Sequence, residues 1–126
     1  MSNKERFEMN DKKERIVFEV SDAGNEITLL KMSGDLDMYT LPMAKERMNQ
    51  LIDEKKCRII IDLENVAYVD SSGLGFFIGS LKKLRENNGD LKLINLNNYI
   101  HGIFKLIHLH TIISIFDNLD DALKDF

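Results

Sequence analysis

CRIIIDLENVAYVDSSGLG, residues Cys57 to Gly75, decides how this chain folds. Cys57 to Leu63 is apolar almost throughout, which predicts a strand covered on both faces and central in its sheet. Val69 to Gly75 places an acidic residue, two serines and two glycines between that strand and a run with helical spacing. A buried strand that leaves through such a turn into a helix is the first half of a parallel crossover unit.

Outward from this stretch the same grammar repeats. Upstream, RIVFEV (Arg15 to Val20) and EITLLKM (Glu26 to Met32) are strand candidates. They flank SDAGNE, whose Gly and Asn predict a turn and an antiparallel hairpin. After the loop SGDLDMYT (Ser33 to Thr40), a helix is predicted from about Leu41 to Lys55. Leu41, Ala44, Met48, Leu51 and Ile52 share one of its faces. Thr40 is its expected cap, and Pro42 lies in the first turn, where proline is tolerated.

Downstream, a helix is predicted from about Ser72 to Asn87, with Leu74, Phe77, Ile78, Leu81 and Leu84 as its apolar stripe. Asn88 and Gly89 stop it. LKLIN (Leu91 to Asn95) is the next strand. A helix from about Asn98 to Leu106 follows, with Ile100, Ile103 and Phe104 inward, then a strand TIISIF (Thr111 to Phe116). The last predicted element is a short helix in DNLDDALKDF, capped by Asp117 or Asn118. The order is β-β-α-β-α-β-α-β-α. It implies one α/β domain with a mixed, mostly parallel sheet of about five strands and about four helices. Met1 to Lys12, dense in charge, reads as a flexible leader, with the ordered domain from Lys13 to Phe126.

Right-handed crossovers put every strand-to-helix loop at the carboxyl end of the parallel strands. The loops GDLDMYT and VDSSG therefore share one end of the sheet. If their strands are neighbours, Asp35 or Asp37 approaches Asp70, Ser71 and Ser72.

The 126 residues suit one domain with a core large enough to need no metal or disulfide staple. Apolar residues make up 44% and charged residues 30%, with a net charge of −4. That balance opposes binding to nucleic acid or anionic lipid and suits a protein that meets other proteins. No run approaches the roughly 18 apolar residues of a membrane span. MSNKERFEMNDKKER lacks the apolar core of a signal peptide, so cytoplasm is the expected compartment. Cys57 is the only cysteine, and it reads as a small buried hydrophobe rather than a redox thiol.

Four chemistries compete for VDSSGLG. Asp70, Ser71 or Ser72 can cap the following helix, while Gly73 and Gly75 allow close packing. A catalytic serine needs a base and an oxyanion hole, but the G-x-S-x-G elbow is absent and His101, His108 and His110 all come late in the chain. A nucleotide loop needs a lysine near the helix start, and the first one after the glycines is Lys82. A phosphorylated serine is compatible with a helix N-terminus, whose free N–H groups favour an anion. It adds about −1.5 to −2 charges beside Asp70 and Asp37, enough to repel a docked partner without refolding. The cap and the modified serine stand side by side at this level.

Three blocks together resemble one family. GDLDMYT is similar to its first loop, with a G-x-[IL]-D core. IIIDLENVAYVDSSGLGFF is similar to its central strand and D-S-[ST]-G-[LI]-G signature. GDLKLINLNNYIHGIFKLIHLHTIISIFDNLDDAL is similar to its tail. The chain resembles the STAS domains, among them the free-standing anti-sigma factor antagonists of bacteria, from about Lys13 to Phe126. The resemblance implies a protein that is not an enzyme and takes no cofactor. It implies binding to an anti-sigma factor that is often also a serine kinase, and release of a sigma factor. It implies phosphorylation of Ser71, which ends binding, and a serine phosphatase that restores it. The resemblance makes Asp37 the acidic residue linked to phosphorylation and partner contact, sets Asp70 and Ser72 beside the Ser71 acceptor, and has Gly73, Leu74 and Gly75 shape the helix start; with Asp35 of the first loop these are the expected partner-contact residues. A STAS module of a larger assembly without sigma control is the alternative, and a small serine hydrolase a more distant one. His108 and His110 read as surface or packing residues rather than metal ligands. Phe76 and Phe77, bulky for their place after the signature, read as packing residues, with partner contact by one of them as the rival.

Overall fold

Asn25 and Glu26 both take left-handed backbone conformations, with φ of 53° and 63°. Two such residues make a tight hairpin turn whose twist matches its flanking strands. The computed structural model describes residues 15–126, and β1 (Ile16–Gly24) and β2 (Ile27–Gly34) run directly into this turn. The predicted SDAGNE loop is thus mostly strand, with Ser21 opposite Leu29 and Asp22 opposite Thr28. The boundary at Lys13 and the leader 1–12 lie outside the described residues.

The order continues through α1 (Leu41–Asp53), β3 (Arg58–Asn65), α2 (Ser71–Glu86), β4 (Asp90–Ile94), α3 (Asn98–Leu106), a 3-10 turn (Leu109–Thr111), β5 (Ser114–Phe116) and α4 (Leu119–Lys124). The five strands lie side by side in sequence order. β1 is antiparallel to β2, and the other pairings are parallel. The fold is the predicted α/β one, with β3 at the centre.

Because the parallel strands advance in one direction, right-handed crossovers put α1, α2 and α3 on the same face. Ala44, Met48, Leu51, Phe77, Leu81, Leu84, Ile100 and Phe104 pack there against Leu30, Met32, Ile59, Ile61, Leu91 and Leu93. The other face carries a smaller cluster of Ile27, Ile60, Ile94 and Ala122, covered by α4 and Phe126. Ile59, Ile60, Ile61 and Leu63 are all fully buried. Each contributes about 1.5–3 kcal/mol relative to exposure, which explains a run that is apolar but for Asp62.

Several expectations are corrected. Ile78 is 45% exposed, while Phe76 and Phe77 are both buried with rings 5.7 Å apart. Phe76 takes the inward place because α2 packs against α1 as well as the sheet. β5 spans only Ser114–Phe116, since Leu109–Thr111 is spent on the 3-10 turn. Cys57 is half-buried at the margin of the core. α1 stops at Asp53, two residues before left-handed Lys55. Asn88 is likewise left-handed, with φ of 63°, and the Gly89 N–H bonds back to the Leu84 carbonyl at 2.7 Å, closing α2 as predicted. Asn118, not Asp117, caps α4, accepting from the Asp121 N–H.

Candidate functional site

The loops after β2 and β3 meet at the carboxyl end of the sheet. Beyond the last β2–β3 pair, Leu36 and Val69 form an isolated parallel bridge. Leu36 N–H donates to the Tyr68 carbonyl at 3.0 Å, and Asp70 N–H donates to the Leu36 carbonyl at 3.2 Å. Leu36 and Val69 are both buried, so apolar side chains anchor a junction whose remaining residues face solvent.

Asp70 is the hinge of this arrangement. Its backbone is extended, and one carboxylate oxygen accepts the Gly73 N–H at 3.1 Å, capping α2. Its other oxygen accepts the Met38 N–H at 3.1 Å. Gly73 has a steric reason to be glycine: a Cβ there would lie 2.6 Å from the Leu36 carbonyl oxygen and 2.7 Å from Val69 Cγ1.

Asp37 organises the first loop. Its Oδ1 accepts the N–H groups of Tyr39 at 2.9 Å and Thr40 at 3.0 Å, and its carbonyl accepts the Leu41 N–H. Thr40, the expected cap of α1, makes no capping bond to the helix. Its fully buried hydroxyl donates to the Asp35 carbonyl at 2.8 Å and accepts from the Asp37 N–H at 3.0 Å. The carboxylate of Asp37 therefore serves its own turn. The link to Asp70 runs through Leu36 and Met38 rather than through Asp35 or Asp37.

Ser71 opens α2 as its first residue and is exposed, as are Asp35 and Gly75, while Ser72 and Leu74 are half-buried and Gly73 is buried. None of the ion pairs among the described residues involves Asp35, Asp37 or Asp70. The end thus carries three carboxylates outside any ion pair, with the Arg15 guanidinium standing over the Tyr39 ring at 5.5 Å. Around it stand large exposed side chains: Met38 at 61%, Tyr39 at 63%, Tyr68 at 44% and Tyr99 at 52%. Tyr68 and Tyr99 stack with ring centres 6.3 Å apart. Sequence reasoning passed over all four. The available signal was apolar residues inside polar loops, in DMYT, AYVD and NYI.

Among the described residues no hydrogen bond joins a histidine to either serine; the one bond made by a histidine ring is between His110 Nδ1 and the Phe104 carbonyl, at 3.4 Å. His108 and His110 stack on each other in the turn beyond α3, and no group of three or more His, Cys, Asp or Glu among the described residues is placed to hold a metal. No helix among the described residues is long and apolar enough to cross a membrane.

An exposed serine at a helix start, an acidic rim and exposed aromatic side chains make a surface for recognising another macromolecule. Known proteins similar to this chain are found in sequence and in structure. Residues 19–122 match the model of the STAS domain. An anti-sigma F factor antagonist of Paenibacillus polymyxa is 30% identical over 100 residues, covering 79% of this chain and 86% of its own. An anti-sigma-B factor antagonist of Staphylococcus aureus is 34% identical over 86 residues, 68% of this chain and 80% of its own. The crystal structure of an anti-sigma factor antagonist from Mycobacterium paratuberculosis superimposes with a TM-score of 0.78 at 24% identity, covering 87% of this chain and 92% of its own.

Proposed function

As this chain belongs to the STAS-domain family, alongside relatives that are anti-sigma factor antagonists, we propose that it works as a partner-switching regulator rather than an enzyme. Unphosphorylated, it docks the Ser71 end on an anti-sigma factor that is also a serine kinase, and a sigma factor is released. Phosphorylation of Ser71 ends the contact, and a serine phosphatase restores it.

The observation that carries this reading is the place of Ser71. It is exposed at the first position of α2, beside an Asp70 whose two carboxylate oxygens are already committed to Gly73 and Met38. A kinase reaches such a hydroxyl without unfolding the domain. The added phosphate, about −1.5 to −2 charges, enters a rim that already holds three unpaired carboxylates. A partner seated over the rim then meets repulsion and desolvation cost while the fold stays as it is.

The test is a pull-down from lysate of the native host with wild type, Ser71→Ala and Ser71→Glu as baits, read by mass spectrometry. A kinase-like anti-sigma factor retained by wild type and Ser71→Ala and lost with Ser71→Glu is the expected result. Equal retention by all three baits would remove charge at Ser71 as the gate.

A further inference from the structure

Gly75 and Gly79 have no packing reason to be glycine. A Cβ on either meets nothing within 4 Å, whereas the same test on Gly73 gives clashes. Two glycines one turn apart also cost helix stability, about 1 kcal/mol each relative to alanine. Both line a groove between α1 and α2 of about 200 Å³, together with Lys45, Met48, Phe76, Ser80 and Lys83.

A second observation points into the same groove. Ser80 is only 4% exposed, and its hydroxyl has no hydrogen-bond partner among the described residues. No fully enclosed polar side-chain atom among them goes unpaired, so this hydroxyl opens on the groove. A hydroxyl that reaches this cleft is hydrated there and can exchange that water for an acceptor on a bound segment.

Charge narrows the occupant. On a protein of net charge −4, this groove is flanked by Lys45 and Lys83. Neither is in an ion pair among the described residues; Lys83 Nζ donates only to Asn49 Oδ1, at 3.2 Å. The floor is apolar, with Met48 and Phe76. Ser72, Gly75, Gly79 and Lys83 follow one another at helical spacing, so the groove continues from the Ser71 end down the same side of α2.

We propose that the α1–α2 groove is a second contact for the partner that docks at Ser71, and that it takes an acidic, partly apolar segment of that partner. The carboxylate lies between Lys45 and Lys83 and accepts from Ser80, while an apolar side chain covers Phe76 and the glycines admit close approach. This rests on the partner-binding reading above and adds the chemistry of the bound segment.

The test uses the purified anti-sigma factor retained by wild type in the pull-down, titrated calorimetrically against wild type, Gly79→Leu, Gly79→Ala and Lys83→Glu. Gly79→Leu and Lys83→Glu are expected to weaken binding by about tenfold each. Gly79→Ala, which puts a small group in open space, is expected to raise the melting temperature while weakening binding less than leucine. In a scan of partner Asp and Glu residues to Lys, one change should restore affinity to Lys83→Glu and not to Gly79→Leu. Equal affinity across the variants overturns the groove and leaves the Ser71 switch standing. No binding by wild type overturns both. Self-association of the wild type that Gly79→Leu abolishes, seen by sedimentation, assigns the groove to a second copy of this chain and also overturns the proposal.

Discussion

Met38 and Asp70 are joined by a hydrogen bond of 3.1 Å from the Met38 N–H to one carboxylate oxygen, while the other oxygen holds the Gly73 N–H. One side chain thus sets both the start of α2 and the position of the loop that carries Asp37. Asp70→Ala removes a helix cap and an inter-loop bond together, and is expected to lower stability by about 1–2 kcal/mol in urea denaturation. Asp70→Asn keeps one acceptor oxygen and should lose less. In both variants partner affinity should fall further than stability does, because Met38 and its loop are released at the docking end. A wild-type midpoint for Asp70→Ala would mean that the tie carries no weight in solution.

Gly73 and Gly75 lie two residues apart in one signature and should respond in opposite directions to the same substitution. A methyl at Gly73 meets the Leu36 carbonyl and Val69 at under 3 Å, so Gly73→Ala must push α2 from the Leu36–Val69 bridge. The expected cost is about 1–3 kcal/mol. A methyl at Gly75 meets open space, so Gly75→Ala should gain up to about 1 kcal/mol from helix propensity. Thermal melts of the two variants check the contrast. A loss at both positions would mean that Gly75 is packed more closely than its geometry implies.

Much of this fold was legible in sequence because two periods rarely mimic each other: mostly apolar runs in β3 and β4, broken only by Asp62 and Lys92 within them, and helical spacing in α1 and α3. The shared end of the two loops followed from β2 and β3 running parallel. What was not legible depends on neighbours. In α2, Phe76, Phe77 and Ile78 are consecutive apolar residues, and spacing cannot say which pair turns inward. The answer came from α1 lying alongside. Thr40 has the chemistry of a helix cap, yet Asp37, three residues earlier, takes the free N–H groups of that turn. The link between loops escaped notice for a simpler reason: Leu36 and Met38 act through backbone groups, which leave no mark in residue type.

Charge at Ser71 should act on binding without acting on folding. The residue opens α2 and is exposed, where a negative group meets the positive end of the helix dipole, a gain of about 0.5 kcal/mol. Three nearby carboxylates oppose that gain. Ser71→Glu is therefore expected to melt within a degree or two of wild type, on the scale at which about 1 kcal/mol shifts a domain of this size by several degrees. A large drop in melting temperature would turn any loss of partner in the pull-down into an unfolding effect and undo its meaning as a switch.

Lys92 supplies the last test, far from the docking end. It sits on β4 with its side chain 4% exposed, and its Nζ lies 2.7 Å from Asp125 Oδ2 and 3.8 Å from Asp90 Oδ2. The ammonium also lies over the rings of Phe126 at 4.7 Å and Phe116 at 5.8 Å. Its stem fills space beneath α4, and its charge holds the chain end. The two contributions separate by substitution. Lys92→Met keeps the volume and leaves Asp125, already half-exposed, in water, so the loss should stay within about 1 kcal/mol. Lys92→Ala also empties the space against both rings and should cost about 2 kcal/mol or more. Asp125→Ala leaves a buried ammonium with the longer contact to Asp90 and the two ring faces, and should fall between them. Denaturation midpoints in the order Met, then Asp125→Ala, then Lys92→Ala would show that Lys92 holds α4 mainly by packing. Equal losses for Lys92→Met and Lys92→Ala would show that the charge pair dominates, and that the second face of the sheet is held by one ion pair at the end of the chain.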